Sequence, residues 1–309
     1  EGHEGHRGGE ALSGYLGAFL DRFDYPREAK EFLTSSFAAI KAAPTACGMF
    51  DAAVNRYKAD HMCEFGSLFR ENKAISDAVG IPVFTVDLLI LIALSEELRT
   101  LYGKENIDLS IWHNSMCDLL YKCIECKLVY GIWGTFVTWW FDGFYTLDRF
   151  GLGRLQFETV RFGSEYKKNG VTLTPDSTVI NVHIPRTGTR LDADSRAKSY
   201  RLAADFFRER KGIDSIFMCE SWLLFPRHLE MCSGTSNIRA FMNDYDIIGS
   251  GYYDGYAECW RLFDMLTDDI SKLPADTSLR RSYIDMMKRG EPVGWGKGVF
   301  VYDNQGQSD

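Results

Sequence analysis

The sequence predicts two domains of different class: an all-helical N-terminal domain over 11–148, then an α+β domain over 149–303 with one mixed β-sheet flanked by helices. Three observations lead there. Residues 11 to 148 carry apolar side chains at helical spacing almost throughout. After Phe150-Gly-Leu-Gly153 the pattern changes, and strand-like alternation takes turns with helical stretches. A chain of 309 residues also exceeds what one hydrophobic core commonly serves.

Leu12, Leu16, Phe19, Leu20 and Phe23 form the stripe of a first helix. Pro26 suits the opening turn of a second, through Ala29, Phe32, Leu33 and Phe37. A third is expected near Asp51 to Glu71, whole or broken. Ile81-Pro82 opens a fourth from Val83 to Tyr102, and Asp108-Leu109-Ser110 caps a long one through Trp112, Met116, Leu119, Leu120 and Cys123. The aromatic cluster Trp133, Phe136, Trp139, Trp140, Phe141, Phe144 and Tyr145 closes this half as core, domain interface or pocket wall.

In the second half, Arg154 to Phe162 alternates as a strand, with Gln156, Glu158 and Val160 on one side. Lys168-Asn-Gly170 offers a hairpin turn, with Val171 to Leu173 pairing back. Val179 to Ile184 and Ile216 to Leu224 read as strands, with a helix to about Arg210 between them. A turn or helix from Pro226, a Ser-capped helix over 236–243, a strand from Tyr245 to Ser250 and a helix from Cys259 to Leu266 follow. The chain closes with a helix from Ser278 to Arg289, stopped by Gly290, and a strand from Gly298 to Tyr302. Residues 1–10 and 304–309 are expected as flexible tails.

Composition narrows the function. The formal net charge is -8, which argues against broad nucleic-acid binding and leaves phosphate recognition to local basic groups. The run Val83 to Leu94 is too short to span a bilayer and holds Asp87, so no membrane association is expected. The opening residues lack the apolar segment of a secretory signal, and the eight cysteines lie scattered through apolar stretches; both fit a cytoplasmic protein with reduced thiols. Cys123-Ile-Glu-Cys126 has the spacing of half a zinc site, but no second pair follows it. His3 and His6 stand in the expected tail. No metal is expected.

The stretch Thr178 to Arg190 carries the chemistry. Alternation puts Ile180, Val182 and Ile184 on one face and Val179, Asn181 and His183 on the other. Pro185 ends the strand. Arg186-Thr-Gly-Thr-Arg190 then runs into a helix bearing Ala197, Tyr200, Ala203, Ala204 and Phe207 at helical spacing. A strand with Asn and His, a basic Gly loop and a helix N-terminus together suit a phosphorylated ligand held beside reactive groups; the same unit also serves as a plain connection.

Leu152-Gly-Arg-Leu-Gln-Phe-Glu158, Asn181-Val-His-Ile-Pro185, Cys219-Glu-Ser-Trp-Leu-Leu224 with Pro226, Ser236-Asn-Ile238 and Leu273-Pro-Ala-Asp-Thr-Ser-Leu279 resemble, in that order, the signature blocks of a bacterial acyltransferase family. Its members pair a helical N-acyltransferase-type N-terminal domain with a GNAT-like C-terminal domain. The resemblance implies acetyl-CoA or another acyl-CoA as co-substrate, lying where two parallel strands part. It implies that the pantetheine arm pairs with the edge of strand 179–184, at Asn181 and Ile184. The pyrophosphate would rest on Arg186, Thr187, Gly188, Thr189 and Arg190, with Asn237 near the arm. The loop departs from the family pattern by holding a single Gly, and Asp192 and Asp194 follow it.

Within that frame His183 is the first candidate for the base that takes a proton from an amine, and Glu158 the second. Ser221 is a candidate oxyanion donor, preferred over Glu220 on the opposite side of its strand. Tyr245 is a candidate acid for the leaving thiolate. A sheet hydrogen bond for His183, an Arg partner for Glu158 and packing for Ser221 are the structural alternatives. The expected activity is N-acyl transfer, with acetyl as the expected group and a small-molecule or peptide amine as acceptor. The alternative is a degenerate GNAT-fold module that binds an acyl-thioester without turnover. A hydrolase built on Cys219 or Ser221 with His183 is a third, lesser reading.

Overall fold

The computed structural model describes residues 3–168 and 170–303. The chain divides into two compact units, Glu1–Asp148 and Arg149–Asp309.

The first unit is helical: α1 His3–Arg22, α2 Arg27–Ala42, α3 Pro44–Ala59, α4 Asn72–Val79, α5 Val83–Lys104, α6 Leu109–Tyr130 and the single turn α7 Asp142–Tyr145. Helix α1 begins at His3, so helical backbone reaches into the stretch expected as a tail. The side chains of His3 and His6, and the expected tail 304–309, lie outside the described residues. The expected third helix is broken. It starts earlier, with Pro44 in its first turn, and a short 3-10 segment Phe65–Phe69 separates it from α4.

Helix α5 explains its own sequence. It is the axis of the bundle, packed by α1, α2, α3, α4 and α6. Val86 and every residue from Leu88 to Leu94 are buried, which is why that run is apolar all round rather than striped. Asp87 survives inside because Asn72 Nδ2 donates to its Oδ1 at 2.6 Å; burial still pushes its carboxyl up to about 6. Asp108 caps α6 by accepting from Ser110 N at 2.7 Å. Of the aromatic cluster, Phe141, Phe144 and Tyr145 belong to this unit's core, with Tyr145 Oη donating to Leu91 O at 2.5 Å. Among the described residues no helix is long and apolar enough to cross a membrane.

The second unit holds a six-stranded sheet in the order β1-β2-β5-β6-β8-β7. Its strands are β1 Arg149–Leu152, β2 Leu155–Arg161, β5 Thr178–His183, β6 Ile216–Ser221, β7 Asp246–Tyr252 and β8 Gly294–Val301. A separate hairpin, β3 Tyr166–Lys168 with β4 Val171–Leu173, packs on it through Tyr166 and Leu173. The helices are α8 Ala193–Lys211, α9 His228–Met231, α10 Asn237–Asn243, α11 Trp260–Phe263 and α12 Ser278–Lys288.

Two differences from expectation have local causes. The segment 149–152 is a strand, folded back on β2 through a tight turn that Gly153 allows at φ 71°. Strand β6 stops at Ser221 rather than Leu224, because Ser221 Oγ accepts from Leu223 N at 3.2 Å and caps a 3-10 turn.

Strand alternation gives the sheet two unlike faces. On one, Phe150, Phe157, Ile180, Val182 and Phe217 are buried together with Tyr200, Ala203, Ala204 and Phe207 of α8. On the other, Val179, Met218 and Val299 pack under the β3–β4 hairpin, and beyond them the face turns polar.

Candidate active site

The polar face is built by register. Arg149 lies opposite Glu158, Glu158 opposite Asn181, and Gln156 opposite His183. The strand ladder therefore sets Arg149, Glu158 and Asn181 in one row, with His183 two residues on along the same face. Arg149 Nη2 donates to Glu158 Oε2 at 2.9 Å, and His183 Nε2 lies 2.7 Å from Glu158 Oε1. Burial opposes ionisation of Glu158, yet the hydrogen bonds and charges of His183 and Arg149 outweigh it and hold the carboxyl down at about 2. An ionised carboxylate can only accept, so Nε2 carries the proton it shares with Glu158. Asn181 Nδ2, 3.4 Å from the same oxygen, donates there too; its 3.2 Å approach to Nε2 sets two hydrogen-bearing nitrogens side by side. The imidazole is thus oriented by Glu158 through Nε2.

Next to this row the sheet parts. Strands β5 and β6 are the parallel pair of the sheet, and their ladder is confined to Ile180 with Phe217 and Asn181 with Met218. Past that point β5 stays paired to β2 through His183, and β6 stays paired to β8 through Ser221, but not to each other. The edges at 182–183 and 219–221 therefore face one another without a shared ladder. This opening lies beside His183.

The loop after β5 is held rather than loose. Arg154, from the β1–β2 turn, donates to Pro185 O at 2.8 Å and Thr189 O at 3.2 Å. Thr187 Oγ1 accepts from Thr189 N at 3.2 Å and lies 2.7 Å from Thr189 Oγ1, and Gly188 takes φ 76° between them. Arg186 pairs with Asp264, which also receives Arg280 Nη2 at 2.8 Å. Asp192 caps α8 by accepting from Ser195 N at 2.8 Å, which holds its carboxyl low. Arg190 stands exposed just before that cap.

Of the residues singled out in the sequence, Glu158, Asn181 and His183 come together. Ile184 falls just past the strand end, and Arg186 to Arg190 form the adjoining loop. Ser221 does not join them. Because Asn181 pairs with Met218, alternation puts Glu220 on the His183 face, and the Ser221 hydroxyl is spent as a cap. Tyr245 is buried, and its hydroxyl lies 2.9 Å from that of Tyr200 among Phe217, Phe241 and Phe300. That is the α8 side, away from His183. Cys219 is fully buried with its thiol pushed up by burial, so the nucleophile reading has no activated thiol there. Asn237 opens α10 behind the capping Ser236. Among the described residues no cluster suited to a metal ion occurs, and Cys123 and Cys126 are buried thiols with raised pKa, Cys126 at about 12. Two contributors escaped the sequence reading. Arg149 stands just before the quoted block around Glu158 and Arg154 within it, but nothing in a single Arg announces that it will face a carboxylate or clasp a loop.

Comparison with known proteins gives the class of this fold. Residues 15–147 match the family described as N-acyltransferase N-terminal domain, and residues 150–300 that described as GNAT-like C-terminal domain. The chain belongs to the acyltransferases that join these two domains. No curated protein matches it. Among solved structures it is similar to an acyltransferase in complex with decanoyl-CoA, at 20% identity and TM-score 0.71 over 93% of this chain and 87% of that one. It is similar also to an acyltransferase in complex with CoA and 10C-teicoplanin, at 18% identity and TM-score 0.70 over 93% and 87%. A third, in complex with decanoyl-CoA and teicoplanin, shares 18% identity at TM-score 0.69 over 92% and 86%.

Proposed function

We propose that this protein transfers an acyl group from acyl-CoA to an amine of a small-molecule or peptide-like acceptor. The carrying observation is the parting of β5 from β6 beside the His183–Glu158 pair. The open strand edges suit a pantetheine arm, which pairs with backbone as a third strand would. The amides of Gly188 and Arg190 ahead of α8, with Arg154 and the Arg190 side chain nearby, suit a pyrophosphate. Asp192 already fills the cap, so the anion belongs on the loop rather than over the first turn of the helix.

Acyl-CoA supplies an activated thioester carbonyl. His183 takes the proton from the attacking amine. Glu158 stays ionised, holds the ring and stabilises the imidazolium, and Arg149 and Asn181 in turn hold Glu158. Backbone N–H groups on the open edges are placed to receive the oxyanion. The C–N bond forms, the C–S bond breaks, and the proton on His183 returns to the thiolate. Tyr245 has no part in this scheme.

The sequence reading favoured acetyl. The similar structures carry decanoyl-CoA and, in one mutant complex, octanoyl-CoA, which favours a longer acyl group here as well. Their teicoplanin complexes favour a glycopeptide-like acceptor of modest size. The degenerate-module reading rests on the phosphate loop's departure from the family pattern, whereas the Glu158–His183 pair supports the enzyme. The test is calorimetric titration with free CoA, acetyl-CoA and octanoyl-CoA. Micromolar binding weakened by Arg154→Ala and Arg190→Ala is expected; no heat with any CoA species would overturn the proposal.

A further inference from the structure

Backbone N–H groups hold an anion only when several of them point at it together. A trans peptide is planar, so its C=O and its N–H point opposite ways. A side chain that holds a loop carbonyl from within the fold therefore turns the next residue's N–H outward. Glycine-rich loops reach such conformations through their free φ. Between Pro185 and Asp192 this chain has one glycine, Gly188, and it holds the carbonyls with arginines instead.

Arg154 donates to Thr189 O at 3.2 Å, which aims the N–H of Arg190 away from it. Arg196, in the first turn of α8, does the same one peptide pair further on. It is buried, and its Nη1 donates to Leu191 O at 2.9 Å, which aims the N–H of Asp192 away. The rest of the guanidinium grips Asp244 at the end of α10, Nε to Oδ2 at 2.6 Å and Nη2 to Oδ1 at 3.2 Å. Arg196 is thus anchored from behind and stays where Leu191 O can meet it.

The pattern of spent and spare amides follows. Thr187 N donates to Pro185 O at 3.1 Å and Thr189 N to Thr187 Oγ1 at 3.2 Å. Among the described residues the N–H groups of Gly188, Arg190 and Asp192 have no partner. Every second amide is left for a ligand, and the two that precede α8 are those whose preceding carbonyls are held by Arg154 and Arg196. The Asp192 carboxylate is turned to Ser195 N inside the helix turn.

We propose that Arg196 is a positioning residue for the acyl donor: from inside the fold it sets the spare amides of the loop toward the pyrophosphate, in place of further glycines. The inference rests on the acyl-CoA reading above. Calorimetry with acetyl-CoA and with millimolar acetyl-pantetheine, which has the thioester and the arm but no pyrophosphate, tests it. Arg196→Lys keeps a cation beside Asp244 and loses the planar fork that reaches Leu191 O as well. It should weaken acetyl-CoA by about tenfold or more, the order of one charge-assisted hydrogen bond, and leave acetyl-pantetheine unchanged. Asp244→Asn loosens the anchor and should shift acetyl-CoA alone by a smaller factor, so a misfolded Arg196→Lys does not decide the matter. Equal losses for both ligands would make Arg196 a support of the fold only and overturn the proposal. Unchanged acetyl-CoA affinity in the folded variants overturns it too, as does a wild-type protein that binds both ligands equally, and either leaves acyl transfer standing. No binding of acetyl-CoA to the wild-type protein overturns the reading beneath it.

Discussion

The two faces of the β-sheet are made from the same strands, one residue apart, and do opposite work. Toward α8, Phe157, Val182 and Phe217 bury apolar surface, and even the polar atoms there, the hydroxyls of Tyr200 and Tyr245, pair with each other. Toward the other side, Arg149, Glu158, Asn181 and His183 spend burial on holding charge in place. The first face makes the fold and the second makes the site. The difference shows why position on the strand, more than residue type, decides a role: Tyr245 is as capable an acid as any tyrosine, but it is on the structural face.

Removing His183 is the harshest test of that contrast. His183→Ala should lower thiol release from octanoyl-CoA with an amine acceptor by ~10²–10⁴-fold. Unchanged turnover would remove His183 from the mechanism. On the opposite face, Phe217→Ala should cost about 3–5 kcal/mol of stability by urea unfolding, through the cavity it leaves. A loss below about 1 kcal/mol would mean that this face is not the core.

Acid pH separates the faces more finely. The Glu158 carboxyl is lowered in the folded chain from its ordinary value to about 2. Its contribution is therefore complete above the unfolded pKa of ~4.3 and is lost as pH falls toward 2. Glu158→Gln should flatten stability across that window. His228 offers a comparison. It is fully buried, with Nδ1 donating to Leu223 O at 3.2 Å, and burial lowers it to about 4. The folded state disfavours its proton, so stability should fall as pH drops from ~6.5 to 4, a step that Glu158→Gln leaves in place.

Smallest of all is Tyr245→Phe. It breaks one buried hydroxyl pair and should cost about 1 kcal/mol by thermal unfolding with turnover unchanged. A hundredfold loss of turnover would return Tyr245 to the chemistry.

Much of this was legible in the sequence, and the remainder was not for definite reasons. Alternation alone put Asn181 and His183 on one face, because a strand's period is fixed whatever it pairs with. The same rule showed that Glu220 and Ser221 must point opposite ways. It could not say which one faced His183, since that depends on the pairing of Asn181 with Met218, a contact between distant stretches. Ser221 was preferred for its place in a motif block, and it proved to be a cap. Strand β1 was missed because four residues containing a Gly give too short a pattern to read, and its existence is decided by pairing with β2. Helix α5 was recognised by its apolar run, although its place as the axis of a bundle needed the other helices.

The central claim is that the thioester lies in the parting between β5 and β6. Hydrogen–deuterium exchange with and without octanoyl-CoA tests it without needing the acceptor. Protection concentrated in peptides covering 182–190 and 219–222 is the predicted result. Saturated binding with protection elsewhere and none in these two segments would contradict it.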